Sequence, residues 1–124
     1  MIEKLIFIGF GGFIGSILRY VLSYWIQNRF TIIFPFGTLV VNLLGCFIIG
    51  FVFTLSMRSF ISNNIRLFIM VGILGGFTTF STFSLESFEL LKSSEYLFFS
   101  INIISSIVGG LISYYFGMIL ARLF

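Results

Sequence analysis

The sequence predicts an all-α membrane protein of four transmembrane helices, with the third helix broken mid-membrane. Three observations carry that expectation. The 124-residue chain is 59% hydrophobic and 9% charged, with a mean hydropathy of +1.18, whereas about a quarter of residues are charged in ordinary soluble domains. Its apolar residues fall into four stretches, each near the roughly 20 residues that cross about 30 Å of hydrocarbon. Residues 75–84 read Gly-Gly-Phe-Thr-Thr-Phe-Ser-Thr-Phe-Ser, which puts five hydroxyls inside the third stretch. Hydrocarbon penalises unpaired hydroxyls and opened backbone, so such a decapeptide belongs on a protein-lined or water-lined surface. A single four-span domain over residues 1–124 follows.

The first span is expected over residues 5–26. Gly9, Gly11, Gly12 and Gly15 stripe it, and Gly11-x-x-x-Gly15 is a small-residue pattern that lets helices approach closely in lipid. Arg19 lies well inside it. A mid-span arginine costs roughly 2.5–3.5 kcal/mol on insertion scales and keeps its charge, so it calls for a cavity, a partner or an anion, or else it anchors the helix. A cleaved leader is disfavoured, because no small-x-small site precedes Arg19 and three further spans follow. The second span is expected over 32–55, with Pro35 in its first turn, where a missing N–H costs least. Asn42 inside it is suited either to bridging helices or to donating to an ion.

The third span is expected over 67–91 and the fourth over 96–120. Charged or turn-forming residues separate the spans: Gln27-Asn28-Arg29, then Met57 to Arg66, then Lys92 to Glu95. With four crossings, Lys4, Arg58, Arg66 and Arg122 share a side with both termini, while Arg29 and Lys92 lie opposite. That bias weakly favours cytoplasmic termini and is compatible with insertion in both directions. Four small helices enclose little volume, so a conduction path calls for a second subunit.

Within span three, Phe80 and Phe83 are three residues apart and so share a helix face. Ser81 and Ser84 form a similar pair, with Thr82 between them. Ring edges are electropositive and hydroxyls donate hydrogen bonds, a combination suited to a dehydrated anion. Gly75-Gly76 followed by Thr78-Thr79 invites a break whose freed carbonyls would coordinate a cation. In span four, Asn102, Ser105, Ser106, Ser113 and Tyr114 add donors beside Gly109-Gly110.

Other chemistry is poorly supplied. The chain has no histidine or aspartate, and its acids are Glu3, Glu86, Glu89 and Glu95. No nucleophile–base pair or metal cluster is available for an enzyme. The net charge of +3 is scattered, with no basic run for nucleic acid. The lone Cys46 sits among apolar neighbours and reads as a small hydrophobe.

Three motifs resemble the bacterial Fluc (CrcB) fluoride channels: Gly11-Gly12-x-x-Gly15-x-x-x-Arg19-Tyr20, Gly37-Thr38-x-x-Val41-Asn42-x-x-Gly45, and the decapeptide at 75–84. Span four matches more loosely, through Asn102, Gly109 and Tyr114. The resemblance implies an antiparallel, dual-topology homodimer in the bacterial inner (plasma) membrane, with two pores that let cytoplasmic fluoride leave passively and so reduce its toxicity. It implies pore-lining roles for Phe80, Phe83, Asn42, Ser81, Thr82 and Tyr114, and supporting roles for Arg19 and Glu86. It further implies a structural, untransported sodium ion at the dimer centre, held by the backbone carbonyls of Gly75 and Thr78.

The residues themselves favour a channel over a pump, since they contain no nucleotide motif and no acid or histidine deep in a span to relay protons. A small multidrug exporter would share four spans and dual topology, yet it needs an embedded glutamate in span one, where Glu3 stands at the very end. A non-conducting assembly subunit would explain the glycines but leave the hydroxyl–phenylalanine run without a use.

Overall fold

Lipid offers no partners for backbone N–H and C=O groups, so a chain this apolar must satisfy them within its own helices. The computed structural model describes residues 1–124 and is helical throughout, with no strand. Helix α1 (Ile2–Gln27) and helix α2 (Phe36–Met57) come first. The third crossing begins with α3 (Asn63–Arg66), widens into a π-helical stretch (Leu67–Ile73) and narrows again as α4 (Leu74–Phe77). After two extended residues it resumes as α5 (Phe80–Lys92), and α6 (Tyr96–Arg122) completes the chain. Taken as crossings, Ile2–Gln27, Phe36–Met57, Asn63–Lys92 and Tyr96–Arg122 are all long and apolar enough to span a membrane. This is a multi-pass membrane protein.

The sequence-based boundaries need adjustment. The first, third and fourth crossings run a few residues beyond the apolar stretches of 5–26, 67–91 and 96–120, because polar residues at headgroup depth continue a helix as readily as apolar ones. The second starts later than residue 32. Residues 32–34 are non-helical, and Pro35 stands just before the helix with φ −81° and ψ 67°. Proline disfavours helical backbone in the residue before it, so the helix cannot be entered from Phe34. The Pro35 carbonyl accepts from the Leu39 N–H at 3.2 Å and closes the first turn. Gln27 secures this corner: its amide donates to the Phe34 carbonyl at 3.0 Å and its oxygen accepts from the Gly37 N–H at 3.1 Å. Ser59 and Ser94, with φ of 61° and 60°, reverse the chain after α2 and α5.

Packing is by small residues. A Cβ added to Gly15 would collide with the Ile73 carbonyl, and one on Gly11 would lie 2.6 Å from the Phe68 carbonyl and 2.9 Å from Gly72 Cα. One on Gly76 would lie 2.6 Å from the Gly12 carbonyl. Helix α1 therefore runs parallel to, and in backbone contact with, the entering half of span three. Helices α2 and α6 form a second parallel pair: Gly50 abuts the Tyr114 carbonyl, and Gly117 abuts that of Phe47. The apolar centre is a small cluster of Val41, Leu74 and Phe77. Only 20 of 124 residues are buried, and many large apolar side chains are left exposed for lipid or another chain.

These contacts set up a comparison. Gly15→Ala should lower thermal stability in detergent by about 1–3 kcal/mol, the usual cost of overpacking. Gly9→Ala should leave it unchanged, because nothing lies within 4 Å of a Cβ there.

Candidate functional site

The site grows from the two residues that interrupt span three. Thr78 has φ −87° and ψ 154°, and Thr79 has φ −148° and ψ 122°. Thr78 keeps its N–H bond to the Leu74 carbonyl, but the Thr79 N–H and carbonyl lose their helical partners, and in lipid those must be replaced. Asn42 replaces them at Thr79. Its Nδ2 donates to the Thr79 carbonyl at 3.0 Å, and its Oδ1 accepts from the Thr79 N–H at 2.8 Å. The two open uses of Asn42 are thus decided for most of its capacity: it bridges α2 to the break, as a neighbouring strand would.

The restart of the helix is also assigned. Thr79 caps α5, its Oγ1 accepting from the Thr82 N–H at 3.1 Å. The same hydroxyl donates to Thr82 Oγ1 at 3.1 Å and lies 3.3 Å from Ser81 Oγ. On the other side, the Thr78 N–H and hydroxyl both return to the Leu74 carbonyl, at 3.0 and 2.9 Å.

Four carbonyls, those of Gly75, Gly76, Phe77 and Thr78, lose their helical donors across the break. In an unbroken α-helix the Gly75 carbonyl would accept from the Thr79 N–H, and the Thr78 carbonyl from the Thr82 N–H. The first donor goes to Asn42 and the second to the Thr79 hydroxyl. Gly75 is exposed, with nothing within 4 Å of a Cβ. It and Thr78 border an open cavity of about 330 Å³ with Asn42, Gly45, Cys46 and Phe80. Two unpaired carbonyl oxygens beside open space suit a hard cation.

The rings of Phe80 and Phe83 lie 5.5 Å apart at 44°. They differ in environment: Phe80 is 79% exposed and Phe83 8%. Behind Phe83, the Asn102 amide donates to Ser87 Oγ at 3.0 Å, and Ser87 donates to the Phe83 carbonyl at 2.7 Å. Both polar residues are 2% exposed, so this chain pins α5 to α6.

A larger polar cavity of about 740 Å³ opens between the end of α1, the start of α2 and the end of α5. Tyr20, Gln27, Thr38, Thr82, Glu86 and Glu89 are among its walls. Glu86 is half-buried, its Oε1 accepting from the Thr38 hydroxyl at 2.8 Å while Oε2 is buried without a partner. The carboxylate sits six residues, about 9 Å, inside the end of α5, so an acid does lie within a span after all. Arg19 borders an adjoining cavity of about 180 Å³ with Thr38, Thr79 and Thr82, and its Nε is buried without a partner.

The break thus brings together Asn42, Gly75, Thr78, Phe80, Ser81, Thr82 and Phe83, with Arg19 and Glu86 on the adjoining cavities. Tyr114 is not brought in. It lies twelve residues beyond Asn102, about 18 Å farther along α6, against Gly50. Sequence reasoning missed Thr79 as the hub, Thr38 as the partner of Glu86, and Gln27 and Glu89 as cavity walls. Only Thr79 carried a signal, because Thr79-x-x-Thr82 has the spacing of a helix cap.

Residues 6–118 match the family described as CrcB-like protein, Camphor Resistance (CrcB). The chain is 43% identical to the fluoride-specific ion channel FluC of Chlorobium chlorochromatii, over 98% of this chain and 97% of that one. It is 48% identical to FluC of Phocaeicola vulgatus, over 94% and 96%. Against FluC 1 of Methanosarcina acetivorans the identity is 47%, over 94% and 89%.

The Asn42–Thr79 bridge makes a clear demand on stability. Asn42→Leu should destabilise the folded chain by about 1–3 kcal/mol for each of the two backbone groups it strands. Thr79→Val, which removes only the cap hydroxyl, should cost about 1 kcal/mol. Both are read from thermal unfolding in detergent.

Proposed function

This chain belongs to the CrcB-like family, and we propose that it is a fluoride-selective channel through which cytoplasmic fluoride leaves a bacterial cell passively across the inner membrane, reducing fluoride toxicity. The observation that carries the reading is the break at Thr78–Thr79, which sets the Phe80–Phe83 ring pair beside hydroxyls and a bridging amide. Fluoride is small and strongly hydrated, so a narrow path must replace its water with several close donors. Fixed opposite charge on the path would trap it. Ring edges of Phe80 and Phe83, the hydroxyls of Ser81 and Thr82, and the second N–H of Asn42 meet that need. Arg19, with an unpartnered Nε, raises the anion concentration in the cavity that it shares with Thr82. Glu86 lies on the wall of the larger cavity, one of its carboxylate oxygens held by the Thr38 hydroxyl.

The working unit is an antiparallel homodimer, inserted in both orientations, with two pores. Two features favour it. Few residues are buried within one protomer, and Phe80, 79% exposed, lacks a facing wall. Antiparallel pairing would also bring the far half of α6, with Tyr114, alongside the α5 of the other chain, which a single protomer does not do. The two-fold axis would pass beside Gly75 and Thr78, whose carbonyls, supplied twice, make a four-oxygen cage for a sodium ion. That ion would fix the two breaks to each other and is not transported.

Liposomes holding the purified protein should release fluoride rapidly and chloride negligibly; equal passage of both, or of neither, overturns the reading. Phe80→Ile and Phe83→Ile should each slow fluoride efflux roughly two- to tenfold, the worth of one aromatic contact. Unchanged efflux would reduce the rings to packing. Exchange of sodium for a bulky organic cation during purification should raise the monomer fraction on size exclusion, and a dimer indifferent to sodium removes that ion from Gly75 and Thr78.

A further inference from the structure

Charge on this chain is divided between its two ends. Glu3 accepts from Asn64 at 3.1 Å, and Arg58 donates to the Arg122 carbonyl at 3.3 Å. Those contacts gather the start of α1, the end of α2, the start of span three and the end of α6 at one end of the bundle. Lys4, Arg58, Arg66 and Arg122 stand there against Glu3 alone, a net charge of +3. At the opposite end Arg29 and Lys92 meet Glu89 and Glu95, with no net charge, and Glu86 lies within the span.

Within the positive group, Arg58 reaches the backbone of Arg122. The parallel contact of α2 with α6, glycine against backbone at Gly50 and Gly117, delivers both helices to the same depth. Arg58 follows the last residue of α2, and Arg122 is the last of α6. Both side chains are exposed. Each guanidinium has five N–H donors. One from Arg58 goes to the Arg122 carbonyl, and one from Arg122 points to Met118 Sδ at 3.6 Å. The remaining donors of both exposed side chains have no partner within the chain, at the helix ends, where apolar helix gives way to headgroups. Met57, Phe60, Leu123 and Phe124 are exposed beside them and offer apolar surface for acyl chains.

We propose that Arg58 and Arg122 together bind the phosphate of an anionic phospholipid. An anionic headgroup is favoured over a zwitterionic one because the trailing ammonium of choline or ethanolamine would be repelled by the same two cations. Guanidinium suits the task, since its planar donors match phosphate oxygens and it is weakly hydrated. The interaction holds the α2–α6 pair at a fixed depth. It does not depend on what the chain conducts.

The test titrates the full chain, in neutral detergent, with short-chain phosphatidylglycerol, short-chain phosphatidylcholine or inorganic phosphate, and counts bound species by native mass spectrometry. Phosphatidylglycerol should be retained in preference to the other two. The R58Q/R122Q double variant should lose roughly thirtyfold in phosphatidylglycerol affinity, and R58Q or R122Q alone about fivefold. The R29Q/K92Q control, at the other end, should bind as the parent does. If the double variant does not fold, the two single variants decide. Equal retention of phosphatidylcholine, displacement by inorganic phosphate at equal concentration, or parental binding by both single variants overturns the proposal.

Discussion

One carboxamide makes the rest of the structure possible. A transmembrane helix interrupted by two extended residues would strand backbone donors and acceptors where no water reaches them, at a cost of several kcal/mol. Asn42 offers one donor and one acceptor side by side and presents both to Thr79. No other uncharged side chain type except glutamine has that pairing, and glutamine would hold it one methylene farther out. The break, the cap that restarts α5 and the freed carbonyls all rest on that match. Conversely, Asn42 is held in the membrane only because Thr79 is there to accept it.

The glycine contacts supply the frame in which the match is possible. Asn42 can reach Thr79 only if α2 lies against the break, and Gly45 shows how tightly it lies there: a Cβ on it would overlap the Thr78 methyl. Gly11, Gly15 and Gly76 draw α1 onto the entering half of span three in the same way. The π-helical stretch just before the break belongs to this arrangement, since it carries Gly72 into contact with Gly11. Each glycine removes a side chain, so the protomer gains close approach but little buried area. That trade leaves the exposed faces of Phe80 and Gly75 for some other surface to cover.

Composition and hydropathy were enough to read four crossings, because a span needs only length and apolarity. The interruption was legible for a local reason: Gly75-Gly76 and Thr78-Thr79 are poor helix formers placed together. Boundaries were harder. Pro35 marks where α2 cannot yet have begun, but a one-residue rule does not reveal that residues 32–34 stay outside the helix. Partnerships across the chain were not legible at all. That Asn42 meets Thr79, that Thr38 meets Glu86 and that Gln27 closes the corner before Gly37 are facts of tertiary approach between residues up to 48 positions apart. Sequence spacing reports faces of one helix, whereas these bonds join different ones. Tyr114 shows the same limit from the other side, since a polar aromatic in the right span still lies about 18 Å along α6 from Asn102.

The hydroxyls of residues 75–84 look interchangeable in the sequence, and their hydrogen bonds separate them. Thr78 spends its proton on the Leu74 carbonyl and Ser84 on that of Phe80. Thr79 spends its single proton on Thr82 Oγ1, so any bond between Thr79 and Ser81 uses the Ser81 proton. Thr82 accepts from Thr79 and makes no donation of its own. Its hydroxyl proton is therefore the one left over, and Thr82 borders both the large polar cavity and the smaller one beside Arg19. Receiving a bond from Thr79 polarises that O–H and makes it a better donor. Thr78, Thr79 and Ser84 thus spend their protons within the broken helix, whereas the Thr82 proton is taken by no other group of the protomer.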